Sequence, residues 1–190
     1  MLPVAYFLFL LQVGGQDSLD VAASYNNIGN VYDSQGKYEE ALEYYQKDLD
    51  ITVRLVGQDH PDVAKSYNNI GNVYNRQGQY ERALEYYQQG LEINIKVSGQ
   101  DHQDVATSFN NIGAVYAGKG DFDNALVQFQ KALEIRTRVF GSDHLDVAKT
   151  RENMAIIYED QGHYNQALEI YKSVLETKIR VCGHEQVQYS

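Results

Sequence analysis

Apolar and small residues recur at helical spacing along two consecutive stretches near the start of the chain. Gln35-Gly36-Lys37 separates the stretches, and Gly57 ends the second one. The first stripe consists of Val21, Tyr25, Ile28, Gly29 and Tyr32. The second, longer stripe consists of Tyr38, Ala41, Leu42, Tyr45, Leu49, Val53 and Val56. The pattern therefore predicts a helical hairpin, helix A followed by helix B.

This hairpin recurs with a period of 42 residues. Residues 20–46 read DVAASYNNIGNVYDSQGKYEEALEYYQ, and residues 62–88 read DVAKSYNNIGNVYNRQGQYERALEYYQ. More divergent copies begin at Asp104 and Asp146. A fixed period of this length is the signature of stacked repeats that bury a continuous core. We predict an all-α solenoid of about four antiparallel helix pairs, with repeats at 16–57, 58–99, 100–141 and 142–183 and a tail at 184–190.

A small residue lies inside each helix A, where the copies carry Gly29, Gly71, Gly113 and Ala155. Glycine inside a helix costs about 1 kcal/mol relative to alanine, so a steric reason is needed. We expect helices A and B of a pair to approach closely at this point, with Ala41 as the matching small residue on helix B.

The order of small and aromatic positions resembles the tetratricopeptide repeat: Tyr25, Ile28, Gly29, Tyr32, Ala41 and Tyr45. That repeat usually has 34 residues. Here the added length falls in helix B and in a Gly-x-Asp-His linker, a form similar to the 42-residue repeats of kinesin light chains and their many relatives. The resemblance implies a right-handed α-solenoid whose helices A line a concave groove that meets a ligand.

The face of helix A opposite its core stripe is rich in asparagine. An asparagine amide both donates and accepts, so a row of them can pair with the backbone of an extended peptide. Lys65, Arg76 and Lys149 add positive charge, which suits acidic side chains in the ligand. The candidate peptide-binding residues are Asn26, Asn27, Asn30, Lys65, Asn68, Asn69, Asn72, Arg76, Asn110, Asn111, Lys149 and Asn153. Two other readings of the asparagines remain, a solvated helix face and a structural hydrogen bond between neighbouring helix pairs.

The charge of the chain argues against nucleic acid as a partner. Lys and Arg total 16 against 26 for Asp and Glu, a formal charge of −10. Phosphate binding depends on a basic surface that releases counterions. An RNA-reading helical repeat is therefore disfavoured, and protein ligands are favoured.

No catalytic motif stands out in the sequence. There is no phosphate-cradling glycine loop, no His-Glu-x-x-His helix, and no cysteine beside a histidine with an orienting partner. His60, His102 and His144 each follow an aspartate in a linker, and helix capping explains them better than metal binding. We therefore predict a protein that is not an enzyme, without catalytic residues, a cofactor or a metal site.

Residues 1–15 differ from the remainder of the chain. Their apolar run, Leu2 to Leu11, is too short to span a bilayer as a helix. It is read either as a signal peptide or as the remnant of a preceding helix, because Gly15-Gln16-Asp17 matches Gly57-Gln58-Asp59. The single cysteine, Cys182, excludes an intrachain disulfide and favours a reducing compartment. We expect a cytoplasmic location, with secretion as the alternative.

These observations favour a scaffold or adaptor that holds an extended peptide segment of another protein. The alternative is a regulatory repeat array cut from a larger enzyme or signalling protein. A third hypothesis is self-association through exposed solenoid ends.

Overall fold

The structure, a computed structural model, describes residues 17–187, with side chains as far as residue 181. The predicted segment 1–15 lies outside the described residues. Within the described range the chain is helical and contains no strand. No helix in that range is both long and apolar enough to cross a membrane. The helices are α1 Leu19–Ser34, α2 Tyr38–Val56, α3 Pro61–Arg76, α4 Tyr80–Ser98, α5 Gln103–Gly118, α6 Phe122–Phe140, α7 Leu145–Asp160 and α8 Tyr164–Val187.

The chain divides into two compact units, and the division falls inside α4, between Ile93 and Asn94. In the first unit, α1 packs on α2 and α2 packs on α3. In the second unit, α5 packs on α6, α6 on α7, and α7 on α8. Gly71 and Asn72 of α3 contact Tyr87 of α4. Each helix A thus pairs with the helix B that follows it, and the predicted succession of helix pairs is confirmed.

Side chains from the linkers cap the helices A. The Nδ1 atoms of His60, His102 and His144 accept hydrogen bonds of 3.1–3.3 Å from the backbone N–H two residues later. Ser18 caps α1 through its Oγ atom, which accepts from the backbone N–H of Val21 at 3.2 Å. A cap of this kind satisfies an N–H group that has no partner inside the helix. The capping role predicted for the histidines is confirmed, and residues 17–181 contain no cluster of metal-binding side chains.

The group that requires a small residue at Gly29 and Gly71 is a tyrosine ring of helix B and not Ala41 or its counterpart. A Cβ atom at Gly29 would lie 2.7 Å from Cε1 of Tyr45, and one at Gly71 would lie 2.9 Å from Cδ1 of Tyr87. Carbon atoms normally pack about 3.5–4.0 Å apart. The glycines therefore make room for the buried tyrosine of their own helix pair.

One residue of the predicted core stripe of α1 lies at the surface. Ile28 is 39% exposed, whereas its counterpart Ile70 in α3 is 2% exposed. Ile70 belongs to a buried cluster with Ala41 and Leu49 of α2. The stripe of α3 is therefore buried because the preceding helix pair packs against it.

Candidate functional site

In the first unit, α1 and α3 form the walls of a pocket of about 300 Å³, and α2 forms its floor. Three predicted site residues, Asn26, Asn27 and Lys65, line this pocket. Asp48 and Thr52 of α2 lie at its base. The asparagine-rich face of helix A therefore borders a recess in this unit.

Asp48 is the centre of a hydrogen-bond network at the base of the pocket, and it is only 5% exposed. Its Oδ2 atom accepts from Nδ2 of Asn26 at 3.2 Å and from Oγ of Ser66 at 2.6 Å. Its Oδ1 atom accepts from Oγ1 of Thr52 at 3.4 Å. All three donors are neutral groups. Because Asn26 is buried and its amide nitrogen donates to Asp48, it has a structural role.

Sequence reasoning missed Asp48, although the repeat alignment holds a signal for it. The counterparts of Asp48 in the other three helices B are Gly90, Ala132 and Val174. A single aspartate where the other copies have small or apolar residues is unusual, because a buried charge is costly without compensating partners.

Asn30 and Asn72 bind the buried tyrosines of their own helix pairs. The hydroxyl of Tyr45 donates to Oδ1 of Asn30 at 2.8 Å, and that of Tyr87 donates to Oδ1 of Asn72 at 2.6 Å. Burial raises the pKa of Tyr45 to about 12, and the carboxylates of Asp33 and Asp48 act in the same direction. These two asparagines thus help to hold helix A against helix B.

The third repeat replaces both partners of this hydrogen bond. Phe129 stands where Tyr45 and Tyr87 stand, and Ala114 stands in place of the asparagine. The phenyl ring keeps the packing, since a Cβ atom at Gly113 would lie 2.8 Å from its Cε1. The joint change fits a structural role for the pair, because neither polar group is left buried without its partner.

In the second unit, Nδ2 of Asn153 in α7 donates to Oδ1 of Asn110 in α5 at 2.9 Å. This is the structural hydrogen bond between neighbouring helix pairs that the sequence left open as an alternative. For these two residues, at least one amide group is engaged within the protein.

Two of the three predicted cations face carboxylates of the chain itself. Nη1 of Arg76 lies 2.6 Å from Oδ2 of Asp33, and Nζ of Lys149 lies 3.5 Å from Oε2 of Glu152. Glu152 also accepts from Nζ of Lys178 at 3.0 Å, and this bond holds the pKa of Glu152 below its ordinary value. Lys65 is exposed at the rim of the pocket.

The remaining asparagines separate into two groups. Asn27 is exposed, Asn69 and Asn111 are half-buried, and among the described residues their amides join none of the hydrogen bonds above. Asn68 is half-buried, and its Oδ1 atom is buried without a hydrogen-bond partner in residues 17–181. The second asparagine of each Asn-Asn pair in the first three repeats is therefore the one left available to a ligand.

A buried arginine in the second unit was also not predicted from the sequence. Arg136 of α6 is 7% exposed, and burial lowers the pKa of its guanidinium. Its Nη1 atom donates to Oγ1 of Thr150 at 2.7 Å and to the carbonyl of Asp146 at 3.3 Å. Its Nη2 atom donates to Oγ1 of Thr107 at 3.4 Å. Hydroxyl and carbonyl oxygens from α5 and α7 thus accept from this cation, and the carboxylate of Asp146 opposes the lowering of its pKa.

The sequence profile of the tetratricopeptide repeat matches residues 20–96 and 104–179. The chain belongs to the tetratricopeptide repeat family. No curated protein matches the sequence. Tetratricopeptide repeats generally mediate protein–protein interaction, and they are typically scaffolds rather than enzymes.

Several solved structures resemble this one. BtubC (BKLC) from P. vanneervenii is 25% identical with a TM-score of 0.76, over 87% of this chain and 66% of that one. A putative kinesin light chain from Podosopora anserina, with nearly identical TPR-like repeats, is 20% identical with a TM-score of 0.68, over 85% and 76%. The apo form of RapI is 22% identical with a TM-score of 0.69, over 84% and 43%. The chain thus spans slightly less than two thirds of BtubC. The predicted tetratricopeptide repeat is confirmed, and its fold is similar to that of the kinesin-light-chain-like repeats.

Proposed function

We propose that this tetratricopeptide repeat protein is a scaffold that binds an extended peptide segment of another protein along the groove face of its helices A. In the first unit this face is formed by α1 and α3, and in the second by α5 and α7. The pocket between α1 and α3, with the free amide of Asn27 at its wall, is the observation that carries the proposal. A recess bordered by unengaged donors and acceptors suits a peptide backbone.

The available amides recur at the period of the repeat, and this spacing supports the same proposal. Asn27, Asn69 and Asn111 occupy equivalent positions of successive helices A. Each can donate to a carbonyl and accept from an N–H group of a ligand. Asparagine inside a helix costs about 0.6 kcal/mol relative to alanine. Three such residues without a hydrogen-bond partner in the described part of the chain therefore weaken their helices. Ligand binding supplies a reason for their presence.

The test is a peptide-display selection on the full chain, followed by affinity measurement of the enriched peptide. The groove variant carries Asn27→Ala, Asn69→Ala and Asn111→Ala. The matched control carries Gln46→Ala, Gln88→Ala and Gln130→Ala, which removes three exposed amides at the same period from helices B. A hydrogen bond contributes about 1 kcal/mol, so loss of three should weaken binding more than tenfold.

We expect the control variant to bind as the wild type does. Circular dichroism should show unchanged or slightly higher helicity for the groove variant, since alanine is the better helix former. Equal affinity of the groove variant and the wild type would place the ligand elsewhere on the molecule. Failure to enrich any peptide on the folded wild type would refute the proposed function.

A further inference from the structure

The pocket between α1 and α3 has an excess of negative charge. Three of its lining residues are aspartates, Asp20, Asp48 and Asp62, and one is a lysine, Lys65. Asp20, Asp62 and Lys65 are exposed at the rim, where solvent screens their charges. Asp48 is buried at the base. The charge least screened by water in this recess is therefore a carboxylate.

The partners of Asp48 are all neutral. Asn26, Thr52 and Ser66 donate hydrogen bonds to it, and none of these groups carries a positive charge. Burying a carboxylate is costly unless hydrogen bonds and an opposite charge offset the lost hydration. Hydrogen bonds from neutral groups offset only part of the lost hydration. A cation that enters the pocket would supply the opposite charge.

The second unit shows what fills the equivalent space there. Arg136 occupies the position that corresponds to Thr52 in the repeat register. Its guanidinium contacts Thr107, Thr150 and the carbonyl of Asp146, as described above. These three residues correspond to Ala23, Ser66 and Asp62, all of which line the pocket of the first unit.

The two units thus differ in the charge found at this place in the repeat, which is a guanidinium in the second unit and a carboxylate in the first. In the second unit a guanidinium is supplied from within the chain, and the neighbouring position is neutral Ala132. In the first unit the short side chain of Thr52 leaves that space open, and the neighbouring position is the carboxylate of Asp48. The open space therefore lies where the second unit holds a guanidinium, and it faces a carboxylate, Asp48.

We propose that this pocket binds the side chain of an arginine in the partner peptide, with Asp48 as its counter-charge. The guanidinium enters from the open mouth between α1 and α3 and reaches Asp48, Ser66 and the backbone carbonyl of Asp62. The inference rests on the proposed function, because the arginine belongs to the peptide held along the helix A face.

The test is a nuclear magnetic resonance titration of the full chain with acetyl-Gly-Arg-Gly-amide. The neutral counterpart, with citrulline in place of arginine, has nearly the same shape without the charge. We expect the arginine peptide to shift the backbone amide signals of Ala22 and Ala23 in a saturable way. The citrulline peptide should bind about tenfold more weakly or worse, because charge-assisted hydrogen bonds are about twice as strong as neutral ones.

Two variants examine the site itself. Asp48→Asn keeps the size of the side chain and removes its charge, so affinity for the arginine peptide should fall about tenfold or more. Thr52→Arg supplies a guanidinium from within, as the second unit does, and should abolish binding. The double variant Ala132→Asp and Arg136→Thr copies the pocket onto the second unit and should add a second binding site. Thermal unfolding followed by circular dichroism establishes that each variant is folded.

Several outcomes would overturn the inference. One is the absence of saturable shifts in the folded wild type, another is equal binding of the arginine and citrulline peptides, and a third is unchanged affinity in a folded Asp48→Asn variant. The display selection separates this inference from the proposed function. An enriched motif that needs Asn27, Asn69 and Asn111 but contains no arginine would refute the subsite alone.

Discussion

Substitution of Gly71 by alanine should destabilise the protein, although alanine is the better helix former. A Cβ atom at this position would lie 2.9 Å from both Cδ1 and Cε1 of Tyr87. The ring would have to move by about 0.6 Å to restore an ordinary contact distance of about 3.5 Å. Tyr87 is buried, and its hydroxyl donates to Asn72 at 2.6 Å, so the ring has little freedom to shift.

Three terms set the magnitude. Overpacking of a core costs about 1–3 kcal/mol, and disruption of the Tyr87–Asn72 hydrogen bond costs about 1 kcal/mol. The gain in helix propensity offsets about 1 kcal/mol of this. We therefore expect Gly71→Ala to lower the free energy of unfolding by about 1–3 kcal/mol.

The fourth repeat illustrates the alternative packing. Ala155 already carries a Cβ atom at the equivalent position and is buried. The corresponding ring, Tyr171, is only half-buried. Its hydroxyl donates to Glu159 at 3.1 Å and not to the residue of helix A that takes the place of the asparagine. The arrangement is what the steric argument predicts when alanine replaces the glycine.

The assay is urea unfolding followed by circular dichroism, with Gly118→Ala as the matched control. Gly118 is exposed at the end of α5, so alanine there should leave stability unchanged or raise it by less than about 1 kcal/mol. In a Tyr87→Leu background the cost of Gly71→Ala should disappear, because the ring is gone. A Gly71→Ala protein as stable as the wild type would refute the reasoning.

Three further predictions concern the polar contacts. In a double-mutant cycle followed by urea unfolding, Tyr87→Phe and Asn72→Ala should each lower the free energy of unfolding by about 1 kcal/mol. The double variant should cost less than their sum, because neither group is then left unpaired. Simple additivity would contradict this. The pKa of Tyr45 is raised to about 12 in the folded state, so its contribution to stability is present below the unfolded value of about 10 and is lost as the pH rises from there to about 12. Alkaline unfolding monitored by tyrosinate absorbance should therefore be less steep in Tyr45→Phe, and an unchanged profile would count against it. The pKa of Glu152 is lowered chiefly by its hydrogen bond from Lys178, so the stability it contributes is present near neutral pH and is lost as the pH falls through its folded pKa. Glu152→Gln should therefore reduce the loss of thermal stability on acidification. Parallel curves of melting temperature against pH for the variant and the wild type would refute the assignment.

Much of the candidate site could be located from the sequence, but not the state of each residue in it. The spacing of asparagines on helix A predicted which face carries them, and Asn26, Asn27 and Lys65 do border one pocket. The sequence could not show that Asn26 donates to Asp48, since the two residues are 22 positions apart and on different helices. A hydrogen-bond partner on another helix depends on packing rather than on local pattern.

The sequence by itself determined the repeat, the succession of helices and most of the core. These features depend on interactions within a few residues: helical periodicity, glycine at the breaks and capping side chains at the starts. Only the tertiary structure decided why Gly29 is small, which asparagines remain available, and that Asp48 lies beneath an open pocket whose counterpart in the second unit is filled by Arg136. Those outcomes depend on which side chains meet across packed helices, and copies of one repeat differ there at single positions.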